Sequence, residues 1–175
     1  FAAPPEQSFE WSEAGVEGQA RFCKRLWNLV HDHVDALQGA PVPALDVGAL
    51  SPAGRALRRK AHETLQRADD DYGRRLQFNT VVSAVHELVN TVVRTEVTNP
   101  ADRAAVHEAL RFALIALSPI APHVTQSLWH VLGEPGLLVA VTWPEVDAGA
   151  LTQDTIEWVL QVNGKVRGRV ELPAG

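Results

Sequence analysis

The side chains in this sequence that could do chemistry are seven histidines, one cysteine and several short runs of arginine and lysine. Nucleophilic catalysis needs a nucleophile, a base and an orienting acid within hydrogen-bond reach, and no residue here sits in a recognisable context such as Gly-x-Ser-x-Gly. Metal binding needs clustered ligands. His31 and His33 are two apart, which points their rings apart on a helix, and His123 and His130 share a face with no cysteine or carboxylate set between them. His86 falls on the polar side of a helical pattern, where a satisfied surface histidine is the plainer reading. The string GKVRG has glycines and a lysine but lacks the strand-to-helix loop whose amides cradle phosphate. Cys23, alone in the chain, can form no internal disulfide and reads as core beside Phe22 and Leu26.

Positive charge on defined surfaces is what remains. Arg55, Arg58, Arg59, Lys60 and Arg67 share one predicted helix, Arg74 and Arg75 follow it, and Lys165, Arg167 and Arg169 alternate near the C-terminal end. Such groups neutralise phosphates and keep their charge at working pH. The candidate RNA contacts are therefore Arg58, Arg59, Arg74, Arg75, Lys165, Arg167 and Arg169, against the plainer alternative of a solvated helix face. A formal net charge of −5 argues against binding nucleic acid by bulk electrostatics, so any RNA contact must be local.

The elements that must carry these residues follow from apolar spacing. The 175 residues, 46% hydrophobic and 21% charged, suffice for one globular domain and a small appendage. With no Met and no signal-type start, the chain reads as a piece of a longer polypeptide. No apolar run approaches the roughly 20 residues that would span a bilayer. Residues 1–15 read as an extended lead-in segment. From Val16, the line Ala20, Cys23, Trp27, Val30, Val34 and Leu37 predicts a first helix, ended by Gly39, Pro41 and Pro43. Ser51-Pro52 starts a second, with Leu57, Ala61, Leu65, Ala68 and Tyr72 inward and Arg55, Arg58, Arg59 and His62 largely on the other side. Asp69 to Asp71 oppose the dipole at its end, which predicts fraying or a break around Gly73. Asn79 caps a third helix striped by Val81, Val82, Val85, Leu88, Val89 and Val92, and Asp102 caps a fourth through Leu117. Pro119 and Pro122 set off a short fifth, closed by Gly133.

Residues 134–154 read as a linker loop anchored by Trp143, and 155–175 as a β-hairpin around Asn163-Gly164. A two-residue loop would pair Val162 with Lys165 and Leu160 with Arg167, mixing apolar and cationic side chains. A three-residue loop instead pairs Leu160 with Val166, Trp158 with Gly168, Ile156 with Val170 and Glu157 with Arg169, and this second register is the predicted one. The expected fold is mainly α, an antiparallel bundle of about five helices over residues 16–133 followed by the hairpin.

Strings taken in order add a family. PPEQSFEWSEAGVEGQARFCKRLW from Pro4 to Trp27, RRLQFNTVVSAVHELVN, LSPIAPHVTQSLWHVLG, WPEVD and VLQVNGKVRGRV together resemble the helical anticodon-binding domain of bacterial leucyl-tRNA synthetases and the start of their C-terminal domain. The bundle strings alone would also fit the valyl, isoleucyl or methionyl relatives; QVNGKVRG is what looks specific to the leucine enzymes. The resemblance implies a parent that uses ATP and Mg to join leucine to tRNA through His-Ile-Gly-His and Lys-Met-Ser-Lys-Ser type signatures. Neither signature occurs here, so no residue is carried over as catalytic and no cofactor is expected in this segment. The implied partners are tRNA(Leu) and the catalytic and C-terminal domains of the same polypeptide, in the cytoplasm. RNA contact is expected to be with backbone and shape rather than anticodon bases. The rival expectation is a structural brace, or a helical interaction module, that touches RNA little.

Overall fold

The computed structural model describes residue 8, residues 10–152 and, as backbone, 155–162 and 165–173. Five longer helices make the bundle: α1 (Glu13–Asp35), α2 (Pro52–Asp70), α3 (Phe78–Arg94), α4 (Pro100–Leu117) and α5 (Pro122–Val131). A short α6 (Ala148–Leu151) follows. The alanine-rich α4 is buried on nearly every side, because α2, α3 and α5 all pack against it. α1 lies outside, on α3 and α5. One apolar cluster runs through all five, from Phe22, Leu26 and Val30 to Leu128 and Trp129. Among the described residues no helix is long and apolar enough to cross a membrane.

The helix starts follow side-chain capping. Ser51 Oγ accepts from the Gly54 amide at 3.0 Å with Pro52 in the first turn, and Asn99 accepts from the Asp102 amide at 2.9 Å ahead of Pro100. Ser12 caps α1, so that helix begins at Glu13, inside the stretch expected to be an extended lead-in. Asn99 takes the capping role expected of Asp102, which is freed to reach across the bundle. The fully buried Asp102 carboxylate accepts from the Ser51 amide at 2.9 Å, the Thr98 amide at 3.1 Å and the Thr98 hydroxyl at 2.8 Å. Burial works against its charge, but these bonds outweigh it and hold the carboxyl below the usual aspartate range. Gly54 is what allows the approach: a Cβ there would lie 2.1 Å from Asp102 Oδ1.

Three more expectations need correction. The inward face of α1 is Phe22, Leu26, Val30 and His33; of the expected line Val30 is buried and Cys23 and Val34 pack partly buried against the core, while Trp27 is 40% exposed. Both lines have helical spacing, and only the packing against α3 and α5 selects between them. The break expected around Gly73 is present, but α2 does not fray at its acidic end. It runs into a π turn, Asp71–Arg75, that stops at Leu76 in the left-handed region (φ 52°). The buried Asp71 carboxylate, bonded by the Thr80 hydroxyl and paired with Arg75 at 3.0 Å, staples this turn to α3. α3 then starts at Phe78 after Gln77, without the side-chain cap expected from Asn79.

Beyond α5 the chain stays on the bundle, since Leu138 joins the core and Trp143 packs edge-on to Tyr72 with ring centroids 6.2 Å apart. The strands β1 (Thr155–Val162) and β2 (Lys165–Pro173) pair antiparallel. Neither uniform register holds. Val162 pairs with Lys165 and Gln161 with Val166, then the register shifts so that Leu160 pairs with Gly168, Trp158 with Val170 and Ile156 with Leu172. The extra residue, Arg167, makes a bulge that realigns apolar with apolar positions without lengthening the loop. Glu157 consequently faces Glu171 in register, not Arg169. Asn163 and Gly164, on which the loop expectation rested, lie outside the described residues.

Candidate nucleic-acid interface

Most of the basic residues singled out on α2 and after it are already neutralised. Arg58 is the extreme case, only 7% exposed: its Nε donates to Glu108 Oε2 at 3.0 Å and its Nη2 to Asp147 Oδ2 at 2.8 Å. A phosphate reaching this expected contact would have to compete with two carboxylates for a nearly buried guanidinium. His62, also expected on the outer side, is buried one turn away, with Nδ1 accepting from the Asp147 amide at 3.1 Å. Arg59 lies 3.8 Å from Glu63, and Lys60 bonds Glu87 at 2.6 Å. Arg74 grips Asp70 through two bonds of 2.6 and 2.9 Å, which lower the Asp70 pKa and raise that of Arg74. Arg75 pairs with the buried Asp71, and Arg67 lies 3.6 Å from the same carboxylate.

Lys165, Arg167 and Arg169 are placed by strand register alone, their side chains lying outside the described residues. Lys165 pairs with Val162, Arg169 with Val159, and the bulge falls at Arg167 between them.

Exposed cations without a carboxylate partner among the described residues include Arg55 on α2 and Arg94 on α3, and they gather most closely on α1. Arg21, Lys24, Arg25 and Asn28 recur at intervals of three, one and three, which makes one exposed helical stripe. With Leu29 and Asp32, and with Val92 and Val93 of α3, they line an open groove of about 550 Å³. Among the described residues Lys24 and Arg25 have no ion-pair partner, and Arg21 lies 3.5 Å from Glu17, with both side chains well exposed. The Arg25 guanidinium lies 5.7 Å from the Phe22 ring centre, and Phe22 stacks on His86 at 3.7 Å. Burial, and then the Arg25 charge, depress the His86 pKa, so the ring is neutral and adds no cation. Sequence reasoning missed this stripe because it drew the inward line of α1 through Cys23 and Trp27, although QARFCKRLWN contains the spacing.

The arrangement can bind anions along a line but offers nothing to react with them. Cations neutralise phosphates, Asn28 can donate or accept, and the apolar floor of Leu29 and Val93 suits the non-polar faces of sugars. Among the described residues no three His, Cys, Asp or Glu side chains gather as a metal site would require.

Comparison with known proteins gives this surface a context. A sequence profile for the family "Anticodon-binding domain of tRNA ligase" matches residues 54–175. The leucine–tRNA ligase of Alcanivorax borkumensis is 52% identical over 174 residues, covering 99% of this chain and 21% of the relative. That of Alkalilimnicola ehrlichii is 53% identical over 176 residues, covering 99% of this chain and 20% of the relative. The chain thus spans about a fifth of the length of the curated relatives it matches. Among solved structures, the agnB2 LeuRS of Agrobacterium radiobacter K84, in a ternary complex with tRNA and LeuAMS, superposes with a TM-score of 0.77. That match has 21% identity and covers 94% of this chain and 21% of the other, so it shows the shared fold.

Proposed function

The chain belongs to the family of anticodon-binding domains of tRNA ligases, and from that premise we propose that it is the tRNA-docking part of a leucine–tRNA ligase. In this reading residues 16–133 are the bundle, 134–154 the linker and 155–175 the opening hairpin of a further domain. A catalytic domain elsewhere in the parent joins leucine to tRNA(Leu) with ATP and Mg, in the cytoplasm, while this segment positions the RNA. The observation that supports it is the contrast between α1, with cations facing an open groove, and α2, where every cation but Arg55 has a carboxylate within 4 Å. Phosphate contacts of this kind fix orientation without reading sequence.

The test is tRNA binding by the chain across a salt series. Each lost phosphate contact shallows the plot of log affinity against log salt by about 0.7 to 0.9. Lys24→Ala and Arg25→Ala should each do so, whereas Arg59→Ala and Arg74→Ala should not. Affinity that ignores salt, or is unchanged by the α1 substitutions, rejects the reading. A second reading, that the bundle chiefly braces neighbouring domains, is favoured by the internal pairing on α2 and by exposed Leu137 and Val139. It predicts that substitutions at those two apolar residues, rather than on α1, lower leucylation by the complete ligase.

A further inference from the structure

Arg58 has a use that its burial reveals. Its two carboxylate partners sit 50 and 89 residues further along the chain, Glu108 on α4 and Asp147 in the segment that leaves the bundle. Asp147 is held a second time through its backbone amide, which donates to His62 Nδ1, so the His62 proton resides on Nε2, 3.5 Å from Glu108 Oε1. The same Asp147 caps α6, its Oδ1 accepting from the Gly149 amide at 2.8 Å. α6 ends at Leu151, and β1 begins at Thr155. Arg58 and His62 thus both hold Asp147 just before the strands, and Glu108 braces the two of them from α4.

We propose that Arg58, His62, Glu108 and Asp147 form a latch that fixes the direction in which the chain leaves the bundle, so that Arg58 aids RNA docking by positioning the strand-borne cations rather than by touching RNA. The functional half rests on the docking reading; the geometric half does not. Asp147 is the site to probe, since its side chain is 45% exposed and removing it spares the apolar core.

The two roles for Arg58 predict opposite signs. If Arg58 met phosphate directly, Asp147→Ala would free its charge and strengthen tRNA binding. A latch predicts that Asp147→Ala weakens binding several-fold, and that Arg58→Lys, which keeps the charge but cannot bridge two carboxylates through separate nitrogens, does the same. Spin labels at Gln66→Cys on α2 and Glu171→Cys on β2, with Cys23 replaced by Ala, report the geometry. The parent chain should give a narrow distance distribution and the Asp147→Ala variant a broad one, while the melting temperature of the bundle moves by only a few degrees. An unchanged distribution, or tighter RNA binding, overturns the latch. If the parent chain shows no salt-dependent binding of a leucine-accepting tRNA, the docking reading fails and the distance distributions alone decide the latch.

Discussion

Helices α1 and α2 each carry a run of cations, and α2 has the denser one, yet the two runs do different work. On α2 and the π turn behind it, Arg58, Arg59, Lys60, Arg67, Arg74 and Arg75 all have a carboxylate within 4 Å, two of them the buried Asp71 and the nearly buried Glu108. On α1, Lys24 and Arg25 have none among the described residues. Charge density in a sequence is thus a poor guide to a docking surface; what counts is whether the fold supplies counter-charges. Of the α2 cations, Lys60 holds α2 to α3, and Arg58 holds it to α4 and to the exit segment.

The comparison breaks first at Arg58. Arg58→Ala leaves Glu108 buried beside His62 without its main partner, and should cost about 3 to 5 kcal/mol by thermal or chemical denaturation. Arg25→Ala, on the exposed stripe, should stay within about 0.5 kcal/mol. Equal losses would erase the distinction drawn between the helices. At the N-terminus of α2, Asp102→Ala strips three donors of their acceptor and should cost about 2 to 3 kcal/mol. Gly54→Ala should also destabilise, although alanine is normally the better helix former, because its Cβ collides with Asp102; a stabilised variant would refute that close approach.

A smaller effect sharpens how α1 is attached. His33, the inward end of its buried face, lies 3.3 Å from His107, which reaches Glu134 at 3.1 Å. Burial, then the charges of His107 and Arg103, lower the His33 pKa from 6.5 to about 4. The unfolded chain therefore takes up this proton at higher pH than the folded one does. Stability is full above pH 6.5 and declines as pH falls toward 4, with a slope of up to about 1.4 kcal/mol per unit. His33→Gln should flatten the decline between pH 6.5 and 4.5 in urea titrations; a slope unaltered by that change would place the titration elsewhere.

Local signals in the sequence were enough for the helices and for the wide stripe of α3, whose six apolar residues are all buried. Ser51-Pro52 marks a real helix start because capping needs only neighbours. What was not legible depends on distant partners. The face of α1 could not be chosen, since Cys23–Trp27 and Phe22–Leu26 are spaced alike and differ only in what they meet. Arg58 and His62 looked outward because their acceptors lie far along the chain, and Asp102 looked like a cap because its role across the bundle requires Gly54 opposite. The bulge at Arg167 escaped because both registers considered were uniform. Family resemblance was readable from the ordered strings, yet it did not locate the cationic groove, which appears only once α1 and α3 are brought together.

Salt dependence of tRNA binding in a matched pair of double variants tests the α1 docking surface most directly. Lys24→Ala with Arg25→Ala should shallow the slope of log affinity against log salt by about 1.4 to 1.8 and lower affinity roughly tenfold or more at moderate salt, while Arg59→Ala with Arg74→Ala leaves both nearly unchanged. The reverse pattern, with the α2 pair carrying the slope and the α1 pair silent, would contradict it.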